Sequence, residues 1–267
     1  MRAVVTADLH YDLLSPEDRA GLRAWVGGIM AAQPGVFIIA GDTVGLGKKY
    51  LPETLALFAA LPCPKFIVPG NHDLWVPEGE SLEYIKGRYT CDVEAAGFKR
   101  LELGPFVAGE CAVIGAMGWY DYSFRDPAIR EDRTTSYRRK MFRGRIARND
   151  GVFVHLPVDD ATFSAWEIGT LTGALASLPA SVTRVLAVTH MLAFQELLPA
   201  KAHDDDSSFS NAFQGSRRLG DVLLADLRVK YHVFGHTHAP GRATVDSLTA
   251  ISVGATYDAK EFVVADL

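Results

Sequence analysis

Arg2-Ala3-Val4-Val5-Thr6-Ala7-Asp8-Leu9-His10 is a short apolar run that ends in an aspartate and a histidine two residues apart. The β-branched residues predict a strand buried on both faces. If the strand direction continues, Asp8 and His10 share a face and can converge on one cation. The same arrangement recurs along the chain. Val36 to Ile39 leads into Gly41-Asp42, and Phe66 to Val68 into Gly70-Asn71-His72-Asp73. Val185 to Val188 precedes His190, and His232 to Phe234 precedes Gly235-His236-Thr237-His238. Polar side chains of metal-binding type therefore gather at strand ends.

Between these strands the periodicity changes to that of helices. Ser15-Pro16-Glu17 supplies an N-cap, a proline in the first turn and an early acid, and Leu22, Trp25, Val26, Ile29 and Met30 follow at helical spacing. A second helix is predicted over residues 50 to 61, stopped by Pro62 and Pro64, and a third begins at Asp159-Asp160 and carries Phe163, Trp166, Leu171, Leu175 and Leu178. Strand, helix, strand, helix, strand implies parallel neighbours joined by right-handed crossovers. The closing segments, Ala250 to Val253 and Phe262 to Val264, follow short connections typical of antiparallel pairing. The predicted fold is α/β (α+β): two mixed sheets packed as a sandwich and flanked by helices, in one domain over residues 1–267.

Composition removes several alternatives. The 267 residues are 48% apolar and 22% charged, enough for one sizeable core. A net charge of −5 argues against coating nucleic acid by bulk electrostatics. Cys63, Cys91 and Cys111 lack metal-finger spacing and suggest a reducing compartment. No apolar stretch approaches the roughly 18 residues of a membrane span, and no cleavable leader precedes the first strand, so a cytoplasmic protein is expected.

The strand-end residues have the chemistry of a transition-metal site. Asp42 offers two oxygens that can bridge two cations, Asn71 a neutral amide oxygen, and His190, His236 and His238 imidazole nitrogens. Such a mixed shell suits manganese, iron, zinc, cobalt or nickel better than calcium. A lone Asp-x-His pair or a lone strand histidine is more often an incidental polar or core residue. However, Gly-Asn-His-Asp and Gly-His-Thr-His should each arise by chance in only about one chain in a thousand of this length. Finding both, in order and each after a buried strand, favours a site.

These five blocks, spanning residues 8 to 238, resemble the signature of the calcineurin-like metallophosphoesterase superfamily. The resemblance implies a helix-flanked β-sandwich with two divalent metal ions at the strand ends. By position, Asp8, His10 and His238 would hold the first ion and Asn71, His190 and His236 the second, with Asp42 bridging them. His72 would be no ligand but a general acid over the leaving group. Such a site would hydrolyse phosphoesters with a metal-bridging hydroxide as the nucleophile.

Departures from the pattern narrow the substrate. The protein serine/threonine phosphatases follow Gly-Asp with a second aspartate and a phosphate-gripping arginine, whereas here the run is Gly41-Asp42-Thr43-Val44-Gly45-Leu46-Gly47. A phosphodiesterase or phosphatase acting on a small molecule or nucleotide is expected. A nuclease for single strands and a catalytically silent interaction module are the alternatives. Which carboxylate orients His72 is left open. Residues 125–148 hold nine basic residues against three acidic ones, an asymmetry that a solvated helix face or a functional insert would explain equally well. As a functional insert at about 120–150 it would cap the site, with Arg138 and Arg139 on the phosphate and Tyr120 and Tyr122 at its hinge. Asp204-Asp205-Asp206 beside His203 is expected to be a solvated acidic loop, and His155 and His232 structural.

Overall fold

The computed structural model describes residues 1–132, 134–199 and 205–267. Arg133, His203 and Asp204, which figured in the sequence reading, lie outside the described residues. Strands β1 (Arg2–Thr6), β2 (Val36–Ala40), β3 (Lys65–Val68) and β4 (Phe98–Arg100) run parallel in one sheet. The second sheet contains β5 (Phe106–Ala108), β6 (Cys111–Ala116), β9 (Arg184–Thr189), β10 (Val229–Phe234), β11 (Gly241–Val245) and β12 (Leu248–Ser252). Between β6 and β9, β7 (Met141–Phe142) and β8 (Arg145–Ile146) form a separate ribbon. The last strand, β13 (Phe262–Asp266), joins the first sheet antiparallel to β1, giving the order β13-β1-β2-β3-β4. The second sheet has the order β11-β12-β10-β9-β6-β5.

Four layers explain the unbroken apolar runs. Val5, Ile38 and Val68 face Val113, Val188 and Val233 of the other sheet in a core between the two. Alternate residues Val4, Phe37, Ile39 and Ile67 pack on Leu22, Val26, Ile29 and Phe58 outside the first sheet. Ile114, Val185 and Ala187 pack on Ile168, Leu171 and Leu175 outside the second. Both faces of the central strands are covered, so alternation disappears from their sequence. The helix Pro16–Ala31 is capped by Ser15, whose Oγ accepts the Asp18 amide at 3.1 Å, and the helix Asp160–Ser177 by Asp159, which accepts the Thr162 amide at 2.8 Å. Met30 and Trp166, read from spacing as core-facing, are largely exposed. No helix among the described residues is long and apolar enough to cross a membrane.

The C-terminal strands depart from the sequence expectation. β12 pairs parallel with β10, and the antiparallel partner of β12 is β11, which the sequence reading did not include. β11 reads Gly-Arg-Ala-Thr-Val and lies at a sheet edge, where a strand needs no continuous apolar run. The helix expected over 50–61 is regular only from Leu51 to Ala56 and continues to Leu61 as turns.

Candidate metal centre

The strands β1, β2 and β3 of one sheet and β9 and β10 of the other deliver their C-terminal loops to one place. Strand ends of parallel sheets are where ligands settle, because the loops there are free of pairing constraints. Three carboxylate and imidazole groups converge: Asp8 with His10 and His238; His10 with Asp42 and His72; Asp42 with His190 and His236. Asp42 lies between the outer groups, with Oδ2 3.6 Å from His10 Nε2 and Oδ1 3.3 Å from His190 Nε2. Asp8 Oδ1 is 3.7 Å from His238 Nε2.

Local backbone makes this convergence possible. Asp8, His10, Asp42, His236 and His238 all adopt positive φ, between 40° and 65°. Non-glycine residues rarely occupy this region, and where they do the cause is commonly a site that over-determines the loop. Gly70 must be glycine for a different reason: a Cβ there would stand 2.2 Å from Asp42 Oδ1 and 2.4 Å from its amide nitrogen. Asp73 staples the two loops, accepting the Gly70 amide at 2.8 Å on Oδ2 and the Thr43 amide at 3.2 Å on Oδ1. Lys48 Nζ closes the same loop by donating to the carbonyls of His72, at 2.9 Å, and Asp73, at 2.7 Å.

The hydrogen bonds around Asn71 fix how the donor atoms of the cluster are turned. The Ala40 carbonyl, which can only accept, lies 2.9 Å from His190 Nδ1, so that nitrogen carries a proton and the neutral ring presents its lone pair at Nε2. The Phe213 carbonyl likewise takes His236 Nε2 at 3.0 Å and leaves Nδ1 as the lone pair. Both lone pairs point at Asn71 Oδ1 from 3.0 Å, an acceptor. The Asn71 amide cannot turn to help, because its Nδ2 donates to Asp150 Oδ1 at 2.9 Å. Three acceptors facing one another beside the Asp42 carboxylate fit a cation among them, each held by a second hydrogen bond as metal ligands commonly are. At the other end, both ring nitrogens of buried His10 have no hydrogen-bond partner among the described residues. These residues fit divalent metal ions of nitrogen and oxygen preference.

Burial disfavours a charge on His190, but the adjacent Asp42 carboxylate raises its pKa to about 9, so Nε2 keeps a proton until a metal ion takes its place. Desolvation works to raise Asp42, but His190, His72 and His10 outweigh it and hold the carboxyl well below its ordinary value. Burial raises Asp8 to about 7, with the Asp42 charge adding to the effect. Burial likewise drives His10 down to about 2, so it is a neutral, ligand-ready imidazole.

His72 stands 3.9 Å from Asp42 by its Nε2 and edge-on to His10 at 4.6 Å between ring centroids. No carboxylate among the described residues accepts from its Nδ1, which is buried and unpartnered. Its ring is held instead by Trp75, stacked at 3.7 Å with 24° between planes. Trp75 Nε1 donates to Asp150 Oδ1 at 2.8 Å, so one buried carboxylate steadies both Asn71 and the support of His72. Sequence reasoning missed Trp75 and Asp150; neither belongs to a motif, although the indole three residues past His72 was a local signal.

The other expected contacts fall elsewhere. Tyr120 is fully buried, its hydroxyl on Asp150 Oδ2 at 3.3 Å, and Tyr122 donates to Asp160. Both tyrosines pack with Tyr137 and Phe213 in an aromatic layer beneath the insert. Arg138 and Arg139 are exposed, and Arg138 borders a hollow with Tyr122, Val158 and Asp159 that shares no lining residue with the metal cluster. His232 is buried against Thr189 Oγ1 at 2.8 Å, a packing role. Tyr257, which the sequence did not single out, stacks on His238 and lies tilted over His10, 4.9 Å from each.

Comparison with known proteins places this geometry. Among solved structures, the phosphopantetheinyl hydrolase of Mycobacterium tuberculosis is 16% identical, with a TM-score of 0.71 over 96% of this chain and 89% of that one. A dimetal phosphatase from Danio rerio is 15% identical, with a TM-score of 0.60 over 100% of this chain and 92% of that one. A protein of Thermus thermophilus is 14% identical, with a TM-score of 0.52 over 95% and 88%. At these identities the likeness shows the fold. No curated protein matches the chain. The calcineurin-like phosphoesterase family profile matches residues 1–240, which include every strand-end residue described above, and the chain belongs to that family.

Proposed function

We propose that this protein is a dinuclear metallohydrolase of small phosphoesters or nucleotides. The observation that carries the proposal is the convergence of lone pairs from Asn71, His190 and His236 next to Asp42, repeated by Asp8, His10 and His238 on its other side. Asp8, His10 and His238 would hold one divalent ion, Asn71, His190 and His236 the other, and Asp42 both. Ions bound there would lower the pKa of a water to give a hydroxide nucleophile near neutral pH and would offset charge on the phosphoryl oxygens. His72, steadied by Trp75, donates a proton to the departing alkoxide oxygen. Asp150 keeps the Asn71 oxygen turned inward, and Lys260, donating to the Asp8 carbonyl at 3.1 Å, fixes the first loop.

A net charge of −5 argues for small substrates over nucleic acid. In the basic insert Lys140 is engaged by Asp160 and Arg143 by Asp205, while Arg125, Arg130, Arg138, Arg139 and Arg145 are exposed, so the assay on single strands decides between the two readings. The test is to strip the protein with chelator, reload it with manganese, iron, zinc, cobalt or nickel, and assay phosphomonoesters, cyclic nucleotides, phosphodiesters and single-stranded DNA. A phosphopantetheinyl ester belongs in the panel because the solved hydrolase named above bears that name. Two bound ions per chain with turnover of a small ester supports the proposal; metal-independent turnover, or cleavage of DNA alone, refutes it.

A further inference from the structure

Of the nine basic residues in the insert, Arg148 occupies a position that the other described ones do not share. It follows β8 and immediately precedes the turn whose Asp150 grips Asn71. Its guanidinium carbon is 5.7 Å from the centre of the Phe213 ring, and the Phe213 carbonyl holds His236. Arg148 thus adjoins, in sequence and in space, residues that support two members of the second metal cluster. Its charge also reaches Tyr257, the ring that lies over His10 and His238.

The guanidinium is poorly satisfied there. Nη2 donates to the Ser210 carbonyl at 3.2 Å, while Nε is buried without a partner among the described residues. A largely buried guanidinium with an unpartnered Nε is under-bonded, which costs free energy unless another group completes the shell. A cation beside a centre designed for divalent ions adds repulsion as well, and the ligand that relieves both is an anion lying between them. Arginine's planar fork matches two phosphoryl oxygens better than any other side chain does.

Resting on the dinuclear reading above, we propose that Arg148 is a substrate-binding residue that takes a non-bridging phosphoryl oxygen from the side of the second metal cluster. It serves the role that the Gly41 to Gly47 loop, without an arginine, cannot. Arg148 and not Arg138 or Arg139 is then the insert's contribution to substrate binding.

The test uses Arg148→Met, which keeps an unbranched apolar stem and removes the guanidinium, and Arg145→Met, at an exposed residue of the same segment carrying the same charge. In metal-loaded protein, affinity for inorganic phosphate, measured by calorimetry, should fall at least tenfold in Arg148→Met and stay within twofold in Arg145→Met. Metal content should remain at the wild-type value, and KM should rise more than kcat falls. Equal phosphate affinity in Arg148→Met and wild type overturns the proposal, as does an equal loss in Arg145→Met, which would make the effect one of net charge. Should Arg148→Met fold poorly, Arg148→Lys decides by the same titration: weaker phosphate binding with full metal content supports the fork, and unchanged binding overturns it. A wild-type protein that binds no metal and cleaves no ester refutes the dinuclear reading itself, an outcome distinct from any of these.

Discussion

Replacing Asp150 by alanine removes an acceptor on which three donors depend, two buried and one partly buried. Asn71 Nδ2 and Trp75 Nε1 both end on its Oδ1, at 2.9 and 2.8 Å, and the Tyr120 hydroxyl on its Oδ2, at 3.3 Å. Each stranded donor costs about 1–3 kcal/mol, so the loss is a large part of the roughly 5–15 kcal/mol that holds a domain folded. The effect on metal is separable from stability. Without its anchor the Asn71 amide can rotate and offer NH2 groups where the second ion needs an oxygen, and loss of such an outer support weakens metal binding by about 10–100-fold. Asp150→Asn should be much milder: its single oxygen can keep both the amide and the indole, while its NH2 group donates to the Tyr120 oxygen. Calorimetric metal titration, with denaturant melts of the metal-free variants, checks both parts. Wild-type affinity at both sites in Asp150→Ala, or equal loss in the alanine and asparagine variants, would refute the reasoning.

Asp42→Asn halves the acceptor capacity at the position shared by both clusters and removes its charge, so both ions should be lost together; elemental analysis showing two ions per chain would sink the bridging role. His72→Ala should keep two ions but lose roughly 10²-fold or more in turnover, less on aryl esters whose leaving groups need little protonation. Loss of metal would make His72 a ligand, and an equal loss on all leaving groups a positioning residue. Glu167, buried and accepting the Met117 amide at 2.7 Å, is raised by burial from 4.5 to about 7. Its folded form prefers the proton, so its contribution is fully present below pH 4.5 and declines as pH rises through 7. Relative to Glu167→Gln, the wild type should therefore lose stability across that window, on the order of 3 kcal/mol; denaturation midpoints whose difference stays flat from pH 4.5 to 8 would contradict this.

The parts of this protein legible in its sequence are those fixed by local chemistry. Central strands buried on both faces must be apolar throughout, so Val36 to Ala40 and Val185 to Val188 identify themselves. The strand-end residues stand out because their types are rare in such surroundings. β11 was not legible, because an edge strand half open to solvent has no distinctive composition, and the partner of β13 is decided by packing across the whole chain. Asp150 was not legible for a similar reason: it lies 79 residues from the asparagine it holds. Tyr120 and Tyr122 were expected at the hinge of a cap, but the insert folds over them with Phe209, Phe213 and Tyr137, and a buried aromatic layer is worth more than an exposed one.

The pairing of β13 with β1 sets an order of events during synthesis. β1 emerges first of all these strands, and until residues 262–266 exist, one of its edges offers unpaired amides and carbonyls beside the apolar Ala3 and Val5. Such an edge invites pairing with other chains. The segment that covers it carries Lys260, whose amine grips the carbonyl of Asp8, and Tyr257, whose ring lies over His10. The loop of Asp8 and His10 is thus finished by residues translated after every other loop of the candidate metal centre. A nascent chain stalled before residue 257 would present an open strand and a half-built pocket together, and both would close in one step.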